Sequence, residues 1–399
     1  MTSLNLLLGG NELNSGIANK LTSADDDLFV VDWKSNNTGT GELIKLDATD
    51  SNLPIELKNR GLGAFSSVWT SMDLAVPNLN QILINSSLMG FEGGLVPLTK
   101  QAMMDTWAKK GLAGREFRVV NQQDYMTWEF QSSDMPQIVK PNIGSGSRGV
   151  TICSTTQELL TAIPESMTIS QDKKVIIEDF IEGTEFTAEL LADQFGNIQL
   201  LAFSEKHHSR HIVKSKVATA LIYGWTSLSA FEVQELIDFT IEAFRAFEPT
   251  STLGHLEVIY SKISRKFTPV EIGFRSSGYI ASHLVDISTG IDFMSLTNSI
   301  YNGGRVIERY KDPEKVGVYY FYDLPENRNF NLVKSISSYL DNCKSLVRKT
   351  NDFSMEKTWK ITGDADRYGF EVLQITDEQF SLDKLLEAET RLINDSQTS

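Results

Sequence analysis

A glycine-rich stretch, KPNIGSGSRGV at residues 140–150, has the residue types that could hold a phosphate group. Gly144, Gly146 and Gly149 follow the spacing G-x-G-x-x-G, and Lys140 precedes them. A dinucleotide-binding loop with this spacing opens a helix, whereas the residues that follow here, VTIC, are typical of a strand. A Walker loop places its lysine after the glycines. We therefore predict a glycine-rich hairpin whose backbone N–H groups cover nucleotide phosphates, with a plain surface hairpin as the alternative.

Two glutamates on a second predicted hairpin could bind a divalent cation. Strand alternation in GHLEVIYSKISRKFTPVEIGFR puts His255 and Glu257 on one face of the first strand. On the returning strand, Glu271, Gly273 and Arg275 share a face. We expect the intervening residues to point to the core, namely Val270, Ile272 and Phe274. Such carboxylates suit Mg²⁺ that bridges phosphates, and the alternative is a cross-strand salt-bridge network around Arg275.

The segment VIIEDFIEGTEF, residues 175–186, could form one wall of a nucleotide pocket. An adenine ring needs apolar walls with one backbone donor and one acceptor, and a ribose needs a carboxylate for its hydroxyls. Glu178 lies near the end of the predicted strand, and Glu185 follows a turn at Gly183. An edge strand with solvated glutamates is the alternative.

A run of basic residues and histidines, SEKHHSRHIVKSK, begins at residue 204. We interpret it as a lid over a triphosphate, and a solvated loop is the alternative. Its cations are Lys206, Arg210, Lys214 and Lys216. No histidine pair has zinc-ligand spacing with a third ligand, so the sequence predicts no zinc site.

The elements that position these residues fall into three predicted domains. Residues 1–98 alternate short apolar runs with helical stretches, which predicts a small α/β layer with a parallel sheet. Residues 99–302 are rich in strands and include a lid subdomain at about 130–190, and residues 303–399 form a further α/β lobe with a helix from about Asn331. We expect one apolar stripe on the first helix of the middle domain, formed by Met103, Met104, Trp107, Ala108 and Leu112.

The composition restricts the class of partner. The chain has 37 Lys and Arg against 52 Asp and Glu, and the net charge of −15 opposes non-specific binding to nucleic acid. Apolar runs are too short to span a bilayer, so we expect no membrane partner and a cytoplasmic location. Two cysteines, Cys153 and Cys343, are too few for a disulfide framework and are interpreted as core residues. A homodimer is compatible with the sequence.

Six motifs, taken in order, resemble the ATP-grasp superfamily, in particular its carboxylate-amine ligases and the L-amino-acid (dipeptide) ligase branch. They are LTK, IVKPNIGSGSRGV, VIIEDFIEGTEF, FSEK, HLEV and VEIGFRSSG with STGID, and they cover roughly residues 95–300. The resemblance implies an ATP-grasp fold of the α/β (α+β) class. Its parts are an N-terminal Rossmann-like α/β lobe (the pre-ATP-grasp domain), a central glycine-loop lid subdomain and a C-terminal lobe with an antiparallel sheet.

The same resemblance implies ATP with Mg²⁺, or Mn²⁺ in its place, and it assigns residues to the nucleotide and the metal. Lys100 and Lys140 would contact the phosphates, Glu178 the adenine amino group and Glu185 the ribose. The phosphate-covering loop would include Ser145, Ser147 and Gly149. The base would lie against Asp179, Phe180 and Ile181. The metal ions would be held by Glu257 and Glu271.

The resemblance further implies an activity. A carboxylate would attack the γ-phosphate of ATP to give an acyl phosphate, and an amine would then displace phosphate, with small-molecule carboxylate and amine substrates. The residues implied in this chemistry are Arg275, Ser276, Gly278, Lys206 and Arg210. An ATP-grasp carboxylase or another carboxylate-amine ligase is an alternative within the superfamily.

Two rival classes stay open, and the first of them rests on a departure from the commoner pattern, E-x-N-x-R. Gly273 stands where that pattern has an asparagine ligand, and Ser277 stands where the amino-acid ligase pattern, E-x-G-x-R-x-G-G, has a glycine. A nucleotide-binding regulatory protein without catalysis is therefore one rival. A Rossmann-type dehydrogenase built on LLLGGNELNSG is the other, although no acidic residue closes a second strand in a matching frame.

Overall fold

A computed structural model of the chain describes residues 4–9, 27–33, 41–91, 96–127, 135–209, 214, 216–306, 310–321, 345–350 and 370–375. Within these ranges the helices are too short or too polar for any of them to cross a bilayer. The predicted helix near Asn331, together with Cys343 and Arg210, lies outside the described residues.

The N-terminal part is a parallel sheet with helices, as the alternating pattern predicts. Its strands are β1 (Leu4–Leu8), β2 (Asp27–Val31), β3 (Glu42–Ile44) and β4 (Ser67–Thr70), in the order β3-β2-β1-β4. Its helices are α1 (Leu53–Asn59) and α2 (Val76–Asn85). A 3₁₀ turn at Asp73–Ala75 directly follows β4. Asp73 therefore lies at the carboxyl end of a parallel sheet, the edge where α/β proteins place ligand-binding residues.

A small antiparallel sheet carries the glycine-rich stretch. It is preceded by α3 (Lys100–Lys109), and its strands are β5 (Phe117–Val120), β6 (Gln137–Pro141), β7 (Thr151–Cys153) and β8 (Val175–Asp179), in the order β5-β8-β6-β7. Two further helices belong to this region: α4 (Gln122–Thr127) follows β5, and α5 (Thr156–Ile169) follows β7. Strands β6 and β7 pair antiparallel, and residues 142–150 connect them. The predicted glycine-rich hairpin is thus confirmed.

A large antiparallel sheet forms the centre of the described structure. Its strands are β9 (Thr184–Ala192), β10 (Ile198–His208), β11 (Ala218–Tyr223), β12 (Thr252–Ser261), β13 (Lys266–Gly273), β14 (Val316–Phe321), β15 (Ser345–Thr350) and β16 (Phe370–Ile375). Their order is β13-β12-β9-β10-β11-β14-β16-β15. The helices that accompany it are α6 (Ala230–Arg245), α7 (Gly278–Thr289) and α8 (Phe293–Tyr301). Strand β14 continues this sheet beyond residue 303, and the predicted division into domains stays a prediction.

Burial on α3 follows the predicted stripe in part, since Ala108 is an exception and Leu112 lies half-buried beyond the end of the helix. Met103, Met104 and Trp107 are buried, and the Trp107 indole donates a hydrogen bond to the Ala243 carbonyl at 2.9 Å. Ala108 was expected in the same stripe but is exposed, because the helix turns it away from the core one residue after Trp107. The interpretation of Cys153 as a core residue is confirmed, since it is fully buried.

Candidate active site

A cleft of about 820 Å³, including its open mouth, lies between the small sheet and the large sheet. Most of the residues that the sequence analysis singled out line it: Lys100, Lys140, Ser145, Ser147, Glu178, Asp179, Phe180, Ile181, Glu185, Lys206, Glu257 and Glu271. Apolar side chains complete its walls, namely Ile138, Pro141, Val150, Ile259 and Val270. Lys216 of the predicted lid also lines it, as do two cations that sequence reasoning did not assign, Arg115 and Arg148. A chain of net negative charge thus has a cleft rich in cations.

The glycine loop forms one rim of the cleft. Gly146 and Gly149 have positive φ values of 68° and 72°, a conformation that glycine adopts without strain. A Cβ at Gly149 would lie 2.9 Å from Ile169 Cδ1, so this glycine allows close packing behind the loop and does not itself line the cleft. Ser147 does line it, and its hydroxyl donates a hydrogen bond to the Lys216 carbonyl at 3.0 Å.

Lys100 joins the glycine loop to the glutamate hairpin. Thr99 caps α3 by accepting a hydrogen bond from the Ala102 amide, and the Asn142 side chain accepts one from the Gln101 amide at 2.9 Å. These contacts fix Lys100 at the start of the helix. Its Nζ donates to the Gly144 carbonyl at 3.0 Å and lies 3.2 Å from Glu271 Oε1. A buried ammonium between the glycine loop and a carboxylate is well placed to contact an anionic ligand.

Glu178 lines the cleft and forms ion pairs with two cations. Arg115 Nε is 2.9 Å from Glu178 Oε2, and the Lys140 ammonium contacts Oε1. Burial would raise the pKa of Glu178, but Lys140 and Arg115 outweigh it and lower that pKa. Burial lowers the pKa of Lys140 despite the neighbouring carboxylate. Arg115 Nη2 is buried and has no hydrogen-bond partner among the described residues, so it can donate to a ligand.

A second buried carboxylate, Glu185, is held by Lys206 and His208. Lys206 Nζ lies 2.5 Å from Glu185 Oε1 and 3.1 Å from Glu257 Oε1, so one ammonium connects the predicted ribose ligand to a predicted metal ligand. His208 Nε2 is 3.1 Å from Glu185 Oε2. Burial would raise the pKa of Glu185, but Lys206 and His208 hold it at about 2. Glu185 therefore stays ionised and can accept hydrogen bonds from hydroxyls.

Glu257 and Glu271 face each other across β12 and β13, as strand alternation predicts. Their side chains are 23% and 30% exposed and both line the cleft, so their oxygens are accessible to a cation. Two carboxylates fit Mg²⁺, which takes few protein ligands when substrate phosphates supply the others. Among the described residues, no group of three or more His, Cys, Asp or Glu side chains could hold a metal without such help.

The prediction that Val270 points to the core is wrong. The pairing of β12 with β13 shifts by one residue between Glu257 and Val258, so Glu271 pairs with Glu257 while Pro269 pairs with Val258. Val270 is the extra residue of this bulge, and it lines the cleft beside Glu271. Ile272 and Phe274 are buried as predicted.

Arg275 has a partner that the sequence analysis did not identify. Its Nη2 lies 2.6 Å from Asp73 Oδ2, and its Nη1 donates to the Ser276 carbonyl at 2.9 Å. The two glutamates pair with lysines instead, so the alternative network centred on Arg275 is wrong. Arg275 Nε and Ser276 Oγ are buried without a hydrogen-bond partner among the described residues. The position of Asp73, just after a parallel strand, was the available signal.

Arg275, Ser276 and Gly278 are absent from the described lining of the cleft. Gly278 is the first residue of α7. The roles of these three residues stay predictions.

The basic segment lies along the glycine hairpin where the structure describes it. The Ile152 amide donates to the Lys214 carbonyl at 2.9 Å, and the Lys216 ammonium lies 5.2 Å from the centre of the Phe180 ring. Burial lowers the pKa of Lys216. The Lys214 side chain forms an exposed ion pair with Glu158 at 2.7 Å. The described residues of this segment therefore contact the glycine hairpin and the Phe180 side chain of the cleft, and the lid stays a prediction.

The chain is similar to ATP-grasp proteins in sequence and in structure. Residues 133–283 match the ATP-grasp domain family. The chain is 30% identical over 106 residues to D-alanine–D-alanine ligase of Halalkalibacterium halodurans, which covers 26% of this chain and 34% of that protein. It is 26% identical over 230 residues to the L-arginine-specific L-amino acid ligase of Bacillus subtilis, which covers 56% of this chain and 52% of that protein. The matches thus span a third to about half the length of these curated relatives.

A solved structure agrees over nearly the whole length. The L-amino acid ligase from Bacillus licheniformis superimposes with a TM-score of 0.73 at 16% identity, and the match covers 98% of this chain and 97% of that one. The likeness shows the fold. The resemblance drawn from the six motifs is confirmed, and the fold is the ATP-grasp fold, with mixed α/β content and antiparallel sheets.

Proposed function

We propose that this protein is an ATP-dependent ligase that joins a carboxylate to an amine, with amino acids as substrates, and releases ADP and phosphate. One observation carries the proposal. A single cleft brings together a glycine hairpin, two buried lysines and two opposed glutamates, Glu257 and Glu271. Cations beside a phosphate-covering loop and a metal-binding carboxylate pair are the parts that phosphoryl transfer needs.

The first step would be attack of a carboxylate oxygen on the γ-phosphate of ATP. The positive charge of Lys100 beside the Gly144 carbonyl favours negative charge on the transferred phosphoryl group. Mg²⁺ held by Glu257 and Glu271 would neutralise phosphate charge and orient the γ-phosphate. Glu185 would accept hydrogen bonds from the ribose, and the backbone around Phe180 would contact the base.

The second step would be attack of an amine on the acyl phosphate, through a tetrahedral oxyanion that expels phosphate. Arg275 is suited to this step because its Nε lacks a hydrogen-bond partner among the described residues and its guanidinium can hold an oxyanion or a carboxylate. Water would hydrolyse the acyl phosphate. Contacts of the glycine loop and of the Lys216 segment with the same cleft support a lid that excludes it.

Two of the similar proteins are ligases whose names specify amino acids, D-alanine and L-arginine. This similarity supports an amino acid as the carboxylate substrate. The two names specify different amino acids. A screen of amino-acid pairs is therefore part of the test.

The test combines product analysis with an isotope. Purified protein is incubated with ATP, Mg²⁺ and pairs of amino acids whose carboxylates carry ¹⁸O, and ADP, AMP, phosphate and peptide are measured. We expect ADP, phosphate and peptide in equal amounts, with one ¹⁸O atom in the phosphate because the carboxylate oxygen attacks phosphorus. Stoichiometric AMP would contradict the proposal. ATP binding without turnover for any pair would favour the regulatory nucleotide-binding protein.

A further inference from the structure

A chain of buried polar side chains, carried by β11, β9 and β12 of the large sheet, leads to the proposed metal-binding glutamate pair. The Tyr223 hydroxyl donates to Glu189 Oε1 at 3.2 Å, and the same oxygen lies 2.8 Å from His255 Nδ1. His255 Nε2 lies 3.8 Å from Glu257 Oε1. The register explains the alignment, because Glu189 on β9 pairs with His255 on β12, two residues before Glu257.

This arrangement is costly to bury. Glu189 is 1% exposed and His255 is 8% exposed. Ionisable groups in a sheet interior lose hydration, and an apolar pair of similar volume would stabilise the fold as well or better. A role in the neighbouring site would explain why the sheet carries them here.

The contacts also orient the Glu257 carboxylate. His255 is fixed through Nδ1, so its other ring nitrogen is directed at Glu257. Lys206 and His255 both approach Oε1 of Glu257, at 3.1 and 3.8 Å. These two contacts leave Oε2 for a cation in the cleft. Lys100 likewise approaches Oε1 of Glu271 on the facing strand.

We propose that Glu189 and His255 are positioning residues that hold Glu257 in the orientation in which it binds the divalent cation. The inference rests on the proposed function, because that function makes Glu257 a metal ligand. Partners of metal ligands commonly contribute a factor of about 10 to 100 in metal affinity.

The direction of the change in metal affinity distinguishes a positioning role of His255 from an effect of its charge. A positively charged imidazole repels a divalent cation, so loss of its charge alone would tighten metal binding. Loss of positioning would weaken metal binding. A charge effect and a positioning effect therefore predict opposite changes in metal affinity.

Two substitutions of the same residue make the test specific. The amide nitrogen of His255→Gln can reach the place of Nε2 and contact Glu257. The amide nitrogen of His255→Asn can reach only the place of Nδ1 and contact Glu189. If His255 positions Glu257, we expect Asn to weaken Mn²⁺ binding in the presence of ADP by about 10- to 100-fold and Gln to weaken it much less. Calorimetry and the electron paramagnetic resonance of bound Mn²⁺ measure this without turnover.

Controls distinguish a change in Mn²⁺ affinity from a general loss of stability. ADP affinity measured in a chelator should stay within about twofold of wild type in both variants. Asp193→Asn removes another buried carboxylate, one that accepts hydrogen bonds from the Phe195 and Asn197 amides, and it should lower the unfolding midpoint without changing Mn²⁺ affinity. Glu189→Gln keeps the shape of the side chain and should also weaken Mn²⁺ binding, so it serves if the histidine variants do not fold.

The outcomes are distinguishable. A wild-type protein that binds neither ADP nor Mn²⁺ contradicts the proposed function. A wild-type protein that binds both, with His255 variants that bind Mn²⁺ equally or more tightly, overturns the inference alone. Better retention of Mn²⁺ by Asn than by Gln would also overturn it, because His255 would then serve only to satisfy Glu189.

Discussion

Asp73, at the carboxyl end of β4, accepts a hydrogen bond from Arg275, just beyond β13, over 2.6 Å between Oδ2 and Nη2. Two sheets meet at this contact. Gly273 makes it geometrically feasible, because a Cβ there would lie 2.6 Å from Asp73 Oδ1 and 3.2 Å from Arg275 Cζ. The glycine that replaces the asparagine of the commoner ATP-grasp pattern thus leaves room for an ion pair.

Arg275→Lys should retain ATP affinity and lose most ligase turnover. A planar guanidinium can hold Asp73 and a substrate oxyanion at once, whereas an ammonium cannot copy two parallel hydrogen bonds. We expect turnover to fall by at least about tenfold, or about 1.4 kcal/mol in the barrier, while calorimetry gives an unchanged ATP affinity. Turnover within about threefold of wild type would show that Arg275 acts only as the partner of Asp73.

Gly273→Ala should break the Asp73–Arg275 contact, because the added methyl group would overlap the carboxylate. We expect the loss of turnover to resemble that of Arg275→Lys. Gly63→Ala is the matched control, since a methyl group there would meet no described atom within 4 Å, and it should be neutral. In a double-mutant cycle with Asp73→Ala, the two effects should not add, because the second change relieves the clash. Additive effects would argue against the contact.

Glu271→Ala should abolish Mg²⁺-dependent turnover and leave the fold intact. Its side chain is 30% exposed to the cleft, and the substitution removes one cation ligand together with the Lys100 ion pair, while Lys100 keeps its hydrogen bond to the Gly144 carbonyl. A lost metal ligand costs several kcal/mol of transition-state stabilisation, and excess Mg²⁺ should restore part of the activity. Titration of turnover with Mg²⁺ checks this. Near-normal activity at ordinary Mg²⁺ would mean that Glu271 is not a ligand.

Local patterns were sufficient to predict the two hairpins and the residues on them. Strand alternation and glycine spacing act over a few residues, which is why Glu257, Glu271 and the loop around Ser147 were found in the predicted places. Val270 was misplaced because a one-residue bulge reverses the alternation locally, and the adjacent Pro269 was the available signal, since strands place proline at edges and bulges.

Contacts between distant segments were not predictable in the same way. Asp73 and Arg275 are 202 residues apart, and Arg115 and Glu178 belong to strands or loops that meet only in the folded sheet. A salt bridge leaves no periodic signal in one sequence. Arg115, a cleft cation that sequence reasoning missed, is of this kind.

Arg115→Met should weaken nucleotide binding without lowering stability. The buried group of Arg115, Lys140 and Glu178 carries two positive charges and one negative charge, and Arg115 Nη2 lacks a hydrogen-bond partner among the described residues. Replacement by an apolar side chain of similar length leaves a balanced Lys140–Glu178 pair and removes a buried donor, so the unfolding midpoint should stay or rise. The cleft loses a cation, and we expect ADP affinity to fall about tenfold.

Glu178→Gln, in the same group of three side chains, should lower the stability of the fold, in contrast to Arg115→Met. It leaves two buried cations facing each other without a carboxylate, so we expect a loss of about 3 kcal/mol or more in the free energy of unfolding. ADP should recover part of that loss, because its phosphates supply negative charge near Lys140 and binding to the folded state stabilises it. Thermal unfolding of both variants with and without ADP measures the contrast. Equal destabilisation by Arg115→Met and Glu178→Gln would mean that packing, and not the charge balance of the three side chains, holds this end of the cleft.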